Sequence, residues 1–364
     1  MSVIIPVYNA VDHLPECLQS LAGQSIGFER IEIVAVDDGS TDGSGDLLDT
    51  WAERHPGRVR VVHQENSGAP GGPRNRAIGM AQGEFLFFAD PDDYLGTEAL
   101  ERLVAAAERN DSDVVLGKIK GVGRKAPVTP FRENVDGGDI FTSKGVWSLT
   151  AHKLFRRSLV EEHGLRFAEG IRLAEEQVFV VPAYLHARSI SVVSDYDCYY
   201  LVRRDDFPHL TREVPDPASF YANVRDVLSI VAAHVPPGAR RNKLLYRWLT
   251  LEILGRFDGR FADLPEEARA LHVKLAGDLL RAYMPQTLVD QLPPLSRLRC
   301  LLISQGLVEE LTVLTTLVPR PEPKPQQRPA TPAARPAPSP SRRLARYAPA
   351  RVLRALKRRL RRGR

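Results

Sequence analysis

Three features of the sequence predict an α/β fold with a mainly parallel sheet, followed by a small helical region and a proline-rich, basic tail. Over the first ~120 residues, short apolar runs rich in Val, Ile and Phe alternate with helical patterns. Residues 218–318 carry apolar sets at helical spacing alone. Nine prolines between 319 and 341 and then an arginine-rich stretch follow.

The runs at 3–7, 31–36, 59–63, 85–89 and 113–117 read as buried parallel strands. Between them Leu14/Cys17/Leu18/Leu21, Leu47/Leu48/Trp51, Ile78/Ala81 and Leu100/Leu103/Val104/Ala107 recur every three or four residues. Each set lies on one helical face, ready to pack on a sheet. Repeated βαβ order implies helices on both faces of that sheet. Residues 121–150 are Gly-rich and irregular. A second α/β stretch follows to about residue 204, with strands expected at 190–193 and 196–202. Pro215-Asp216-Pro217 marks a break. Val224/Val227/Leu228/Val231 and Leu244/Leu245/Trp248/Leu249 are amphipathic, and Asp263 precedes Leu264-Pro265-Glu266-Glu267 as a helix cap. The expected division is 1–215, catalytic; 216–318, helical; 319–341, an extended polyproline spacer; and 342–364, a basic amphipathic tail.

The net charge of +5 hides an asymmetry. Residues 319–364 hold 15 of the 50 Lys and Arg and one of the 45 acids, a net of +14; the remaining 35 basic and 44 acidic residues give the body −9. Such a tail binds anions. Its narrow stripe of Val352, Leu353, Leu356 and Leu360 among arginines suits an anionic membrane surface; a polyanionic acceptor competes for the same charge. A nucleic-acid-binding arm is the alternative class, disfavoured because Tyr347 is the tail's one aromatic. Cys17, Cys198 and Cys300 are far apart and form no metal-type spacing, which suits a reducing compartment. No secretory leader or membrane-spanning run is expected. The expected location is the cytoplasm, peripheral on the inner face of the membrane. Nothing in the sequence speaks to oligomeric state.

Ligands of open α/β sheets bind beyond the carboxyl ends of the strands. There stand Pro6-Val7-Tyr8-Asn9, then Asp37-Asp38-Gly39-Ser40-Thr41-Asp42, then Asn66-Ser67-Gly68 leading to Arg74, then Asp90-Pro91-Asp92-Asp93. Asp38 can accept a pyrimidine imide N–H or a ribose hydroxyl, and Tyr8 offers an aromatic edge for a base. Asp90 and Asp92, two apart, can share Mn2+ or Mg2+ that bridges two phosphates. Asp93 caps the following turn; Arg74 braces an aspartate or reaches the nucleotide.

Taken together, these motifs resemble the signature set of family 2 inverting glycosyltransferases over about residues 1–205. The resemblance implies a GT-A fold, a DxD metal site at Asp90 and Asp92, and nucleotide-sugar recognition by Pro6, Tyr8, Asp38, Asn66, Arg74 and Asp90. In Leu173-Ala174-Glu175-Glu176-Gln177 the family's second acid is the catalytic base. Here that position is Glu176 in place of the usual Asp, with Glu175 the alternate. Arg203, after Tyr199-Tyr200, falls where the family sets a basic residue near the diphosphate. His152 falls in a stretch near the acceptor site. The implied activity is metal-dependent inverting transfer from a UDP-sugar to a hydroxyl of a cell-wall or surface polymer of the teichoic-acid kind.

Overall fold

The protein is described by a computed structural model covering residues 1–171, 173–204 and 216–317. The expected spacer and basic tail lie outside the described residues. One mixed sheet of eight strands organises the molecule: β1 (Ser2–Val7), β2 (Glu32–Asp37), β3 (Val59–His63), β4 (Phe85–Phe88), β5 (Tyr94–Leu95), β6 (Val114–Val122), β7 (Lys153–Arg156) and β8 (Ile190–Val202), in the order β3-β2-β1-β4-β7-β6-β8-β5. Val3, Ile4, Ile5 and Val7 are fully buried, as an uninterrupted apolar run demands of a strand covered on both faces. Helices α1 (Leu14–Ala22), α2 (Ser44–Arg54), α3 (Gly71–Ile78) and α4 (Ala99–Arg109) make the crossovers, burying the faces read from the sequence.

The parallel reading holds for β3-β2-β1-β4 and for the direction of β6 and β8; the exceptions are β7 and β5. β7 inserts antiparallel between β4 and β6, while β6 runs parallel to β8. Apolar content marks a strand as buried but carries no direction. The runs at 190–193 and 196–202 form one strand, whose register shifts opposite Gly117 and Lys118. A Cβ at Gly117 would stand 2.7 Å from the Cys198 Cβ, so the irregularity lets two chains approach closely.

Two helices, α5 (Arg157–Glu162) and α6 (Gln177–His186), complete the α/β part. The helical region comprises α7 (Pro217–His234), α8 (Ala239–Arg247), α9 (Glu266–Tyr283), α10 (Gln286–Val289), α11 (Pro294–Gln305) and α12 (Val308–Leu317). α7 packs on α6 and on α9, joining the two regions into one unit, Met1–Val318. The break at Pro215-Asp216-Pro217 is a helix start: Asp216 Oδ2 accepts from the Ser219 N–H at 2.8 Å, and Pro217 takes the first turn, where its missing N–H costs nothing. Asp263 does not cap α9. It ends a short 3-10 turn, and Pro265 leads into the helix. No helix among the described residues is long and apolar enough to cross a membrane.

Candidate active site

The tips of β1 and β2 are tied together first. Asn9, in a left-handed conformation (φ 46°), accepts the Thr41 N–H on Oδ1 at 2.8 Å and donates its own N–H to Ser40 Oγ at 3.0 Å. Tyr8 beside it is 47% exposed, an aromatic face on the rim. Pro6 lies below the rim, buried and in register with Val36. It is tolerated mid-sheet because the ladder to β4 stops at Ile4, so its absent N–H interrupts no bond. It shapes the strand just below the rim.

Asp38 is 4% exposed, and both its oxygens are taken by protein donors: Gln64 Nε2 at 2.6 Å, the Ser67 N–H at 3.0 Å and Ser67 Oγ at 2.9 Å. It thereby fixes the loop after β3. Within that loop Asn66 Oδ1 accepts the Gly68 N–H at 2.8 Å. The Asn66 backbone also crosses Gly39, where a Cβ would meet the Asn66 N at 2.9 Å.

Arg74, on α3, is 3% exposed. It donates to Asp90 Oδ1 at 2.8 Å and to Glu175 Oε1 at 2.9 Å, and lies over the Phe167 ring. Of the two roles expected, bracing is the one its geometry serves. It links the loop after β4 to the acid pair some 85 residues on.

The turn 90–93 closes with the Asp93 N–H donating to Asp90 O at 3.2 Å, which brings the first and fourth residues together and leaves Asp92 on the other side. Asp90, Asp93 and His152 accordingly hold donor atoms within 4.8 Å of one another. His152 bonds Asp90 Oδ2 at 3.0 Å through Nε2 and stacks on Tyr199 at 4.2 Å. At 4% exposure its ring is committed to Asp90 and Tyr199. Asp93 is no surface cap either: it is 4% exposed and accepts the Val202 N–H at 2.8 Å. Asp92 faces Arg204 Nη1 at 3.7 Å. Arg203, the expected basic residue, continues the β6 ladder through its N–H to Val122 O. The alternation of a strand end turns the next side chain, Arg204, to the site. Two adjacent arginines cannot be told apart without the register.

Burial works against ionisation of Asp90, yet His152 and Arg74 hold its carboxyl well below the usual range. Burial and the Asp90 charge push Asp92 up; burial, Asp92 and Asp90 push Asp93 up to about 8. Negative charge is in excess here, and oxygen donors predominate. That donor set suits a divalent cation such as Mn2+ or Mg2+.

The acid pair follows Ala174, itself left-handed (φ 62°). Glu175 is 5% exposed against Arg74; burial and then the Glu176 charge raise it to about 8, with Arg74 opposing. Glu176 is half-buried at the N-cap of α6, its carbonyl accepting from Val180 N at 2.8 Å. Below them Lys153, 1% exposed, donates to Thr150 O; burial pushes the ammonium down to about 7 against the pull of Glu176. A charged residue inside a four-residue strand gives no sequence sign of burial.

Comparison with known proteins places the fold in a family. The model of "Glycosyl transferase family 2" matches residues 2–168, and that of "Glycosyl transferase TarS linker domain" matches 217–315. A poly(ribitol-phosphate) beta-glucosyltransferase of Bacillus spizizenii is 44% identical over 246 residues, 67% of this chain and 39% of that protein. Poly(ribitol-phosphate) beta-N-acetylglucosaminyltransferase TarS of Staphylococcus aureus is 33% identical over 307 residues, 83% of this chain and 52% of that protein. The chain thus spans about half or less of these curated relatives. The crystal structure of S. aureus TarS 1-349 in complex with UDP-GlcNAc matches with a TM-score of 0.79 and 30% identity, covering 86% of this chain and 90% of that one. A GT-A-type α/β sheet followed by a helical region, with matching family models over 2–168 and 217–315, makes this chain a member of glycosyl transferase family 2.

Proposed function

We propose that the protein transfers a sugar, with inversion, from a UDP-sugar to a hydroxyl of a ribitol-phosphate-type surface polymer. The supporting observation is the Arg74 bridge, which holds a cation-seeking aspartate turn and an acid pair in one rigid arrangement. Tyr8 offers its ring to the base. Mn2+ or Mg2+ would be held by Asp92 with Asp90: Asp92 is the carboxylate at the accessible side, whereas Asp93 and His152 are sealed behind it. Such a cation supplies charge stabilisation for the departing diphosphate. Arg204 adds to that stabilisation from the end of β8.

Inversion needs in-line attack by the acceptor hydroxyl and one carboxylate to take its proton. Glu176 suits this better than Glu175, which is buried and committed to Arg74. The polymeric acceptor and an anionic membrane are the partners proposed for the site and the tail. The test is a screen of UDP-, GDP- and dTDP-sugars for thermal stabilisation with Mn2+ present, followed by UDP release with ribitol-phosphate polymer. UDP-glucose or UDP-N-acetylglucosamine is expected to raise the melting temperature. Stabilisation by none of them, or only by GDP-sugars, would overturn the donor assignment.

A further inference from the structure

Gln177 directly follows the acid pair, is 5% exposed, and has both ends of its amide engaged by the helical region. Its Oε1 accepts the Trp248 Nε1–H at 2.8 Å, and its Nε2 donates to Glu252 Oε1 at 3.0 Å. Trp248 and Glu252 lie on one π-helical segment, Trp248–Ile253, a rare conformation concentrated at functional sites. Trp248 is fully buried; Glu252 is in turn gripped by Arg247 Nη1 at 3.0 Å and approached by Arg256 at 3.8 Å. On the other side of the pair, Asn223 of α7, 1% exposed, donates to the carbonyl of the left-handed Ala174 at 2.8 Å. The four-residue segment 174–177 is therefore held at both ends by the helical region and in the middle by Arg74.

We infer that the helical region is a working part of the active site, and that Gln177, clamped by Trp248 and Glu252 while Asn223 holds Ala174, is a positioning residue for Glu176. This rests on the reading of Glu176 as the base. A left-handed non-glycine residue such as Ala174, two residues before Glu176, persists only where its surroundings over-determine it, and these bonds do so. A reacting group displaced by about 1 Å loses on the order of a hundredfold in rate, so a clamp acts on turnover rather than on donor affinity.

The experiment compares Trp248→Phe, which keeps an aromatic ring and removes the donor, with Leu251→Ala, on the same segment but 50% exposed and outside the clamp. Both are assayed in the full chain as UDP release from UDP-glucose or UDP-N-acetylglucosamine with ribitol-phosphate polymer. Trp248→Phe is expected to lower kcat about tenfold or more with donor KM within about twofold, and Leu251→Ala to stay near wild type. Gln177→Met stands in if Trp248→Phe does not fold. The double variant Gln177→Met/Trp248→Phe is expected to lose no more than the worse single one, because the two act as a unit. Full kcat in Trp248→Phe, or a fall in kcat accompanied by an equal rise in donor KM, overturns the clamp. Glu176→Gln is run beside them. If it turns over normally, the reading of the base fails; if it is dead while Trp248→Phe is unimpaired, the clamp alone fails.

Discussion

Asp92 accepts its own backbone N–H and faces Arg204 at 3.7 Å, whereas Asp90 and Asp93 are held by close donors from distant parts of the chain. Asp92→Asn should therefore leave the melting temperature nearly unchanged and abolish Mn2+-dependent turnover; a fully active variant would remove Asp92 from the metal site. Lys153 makes a pH prediction. Its folded value of about 7 lies below the ordinary 10.5, so between those values the unfolded chain binds more protons. Stability should rise with pH through that window, by about 1.4 kcal/mol per pH unit at most. Lys153→Met should flatten the slope between pH 7 and 9, as read by denaturant titration; parallel curves would show that Lys153 stays charged. Of these residues, Asp90 and Asp92 were singled out by their order after a strand, and Glu176 by the family resemblance. Asp93, Arg204 and Lys153 were not: their roles depend on a turn closing, a strand end alternating and a strand pairing far along the chain.

At the scale of elements, α3 is set by close approach. A Cβ at Gly71 would lie 2.1 Å from the Ala168 carbonyl oxygen, whereas at Gly72 the nearest atom, Ser67 Oγ, is 3.4 Å away. Gly71→Ala should cost about 1–3 kcal/mol by lifting the 167–168 backbone off α3, and loosen Phe167 from Arg74. Gly72→Ala should be neutral or stabilise by up to about 1 kcal/mol. Equal denaturation midpoints for the two variants would show that the segment yields freely. β1 to β4 were readable from the sequence within a residue or two because each is a short apolar run beside an amphipathic helix. β7 was hidden because Lys153 and Arg156 flank just two apolar residues, Leu154 and Phe155, and because its direction depends on a partner strand. Gln177 was equally hidden, its partners lying 71 and 75 residues away.

For the whole molecule, the basic charge proposed to meet a membrane lies apart from the acidic body. Cutting after Val318 changes the net charge from +5 to −9. It should leave turnover on a soluble acceptor intact and abolish sedimentation with phosphatidylglycerol vesicles at low salt. Unchanged vesicle binding would move the membrane role to the body. The antiparallel insertion of β7 bears on how such a chain is made. β4 is Phe-Leu-Phe-Phe, and one of its edges is covered by β1, already synthesised. The other edge has no partner until Lys153 emerges. At about 5–20 residues per second that apolar edge stays open for several seconds on the ribosome, the interval in which a nascent chain is most exposed to pairing with the wrong strand.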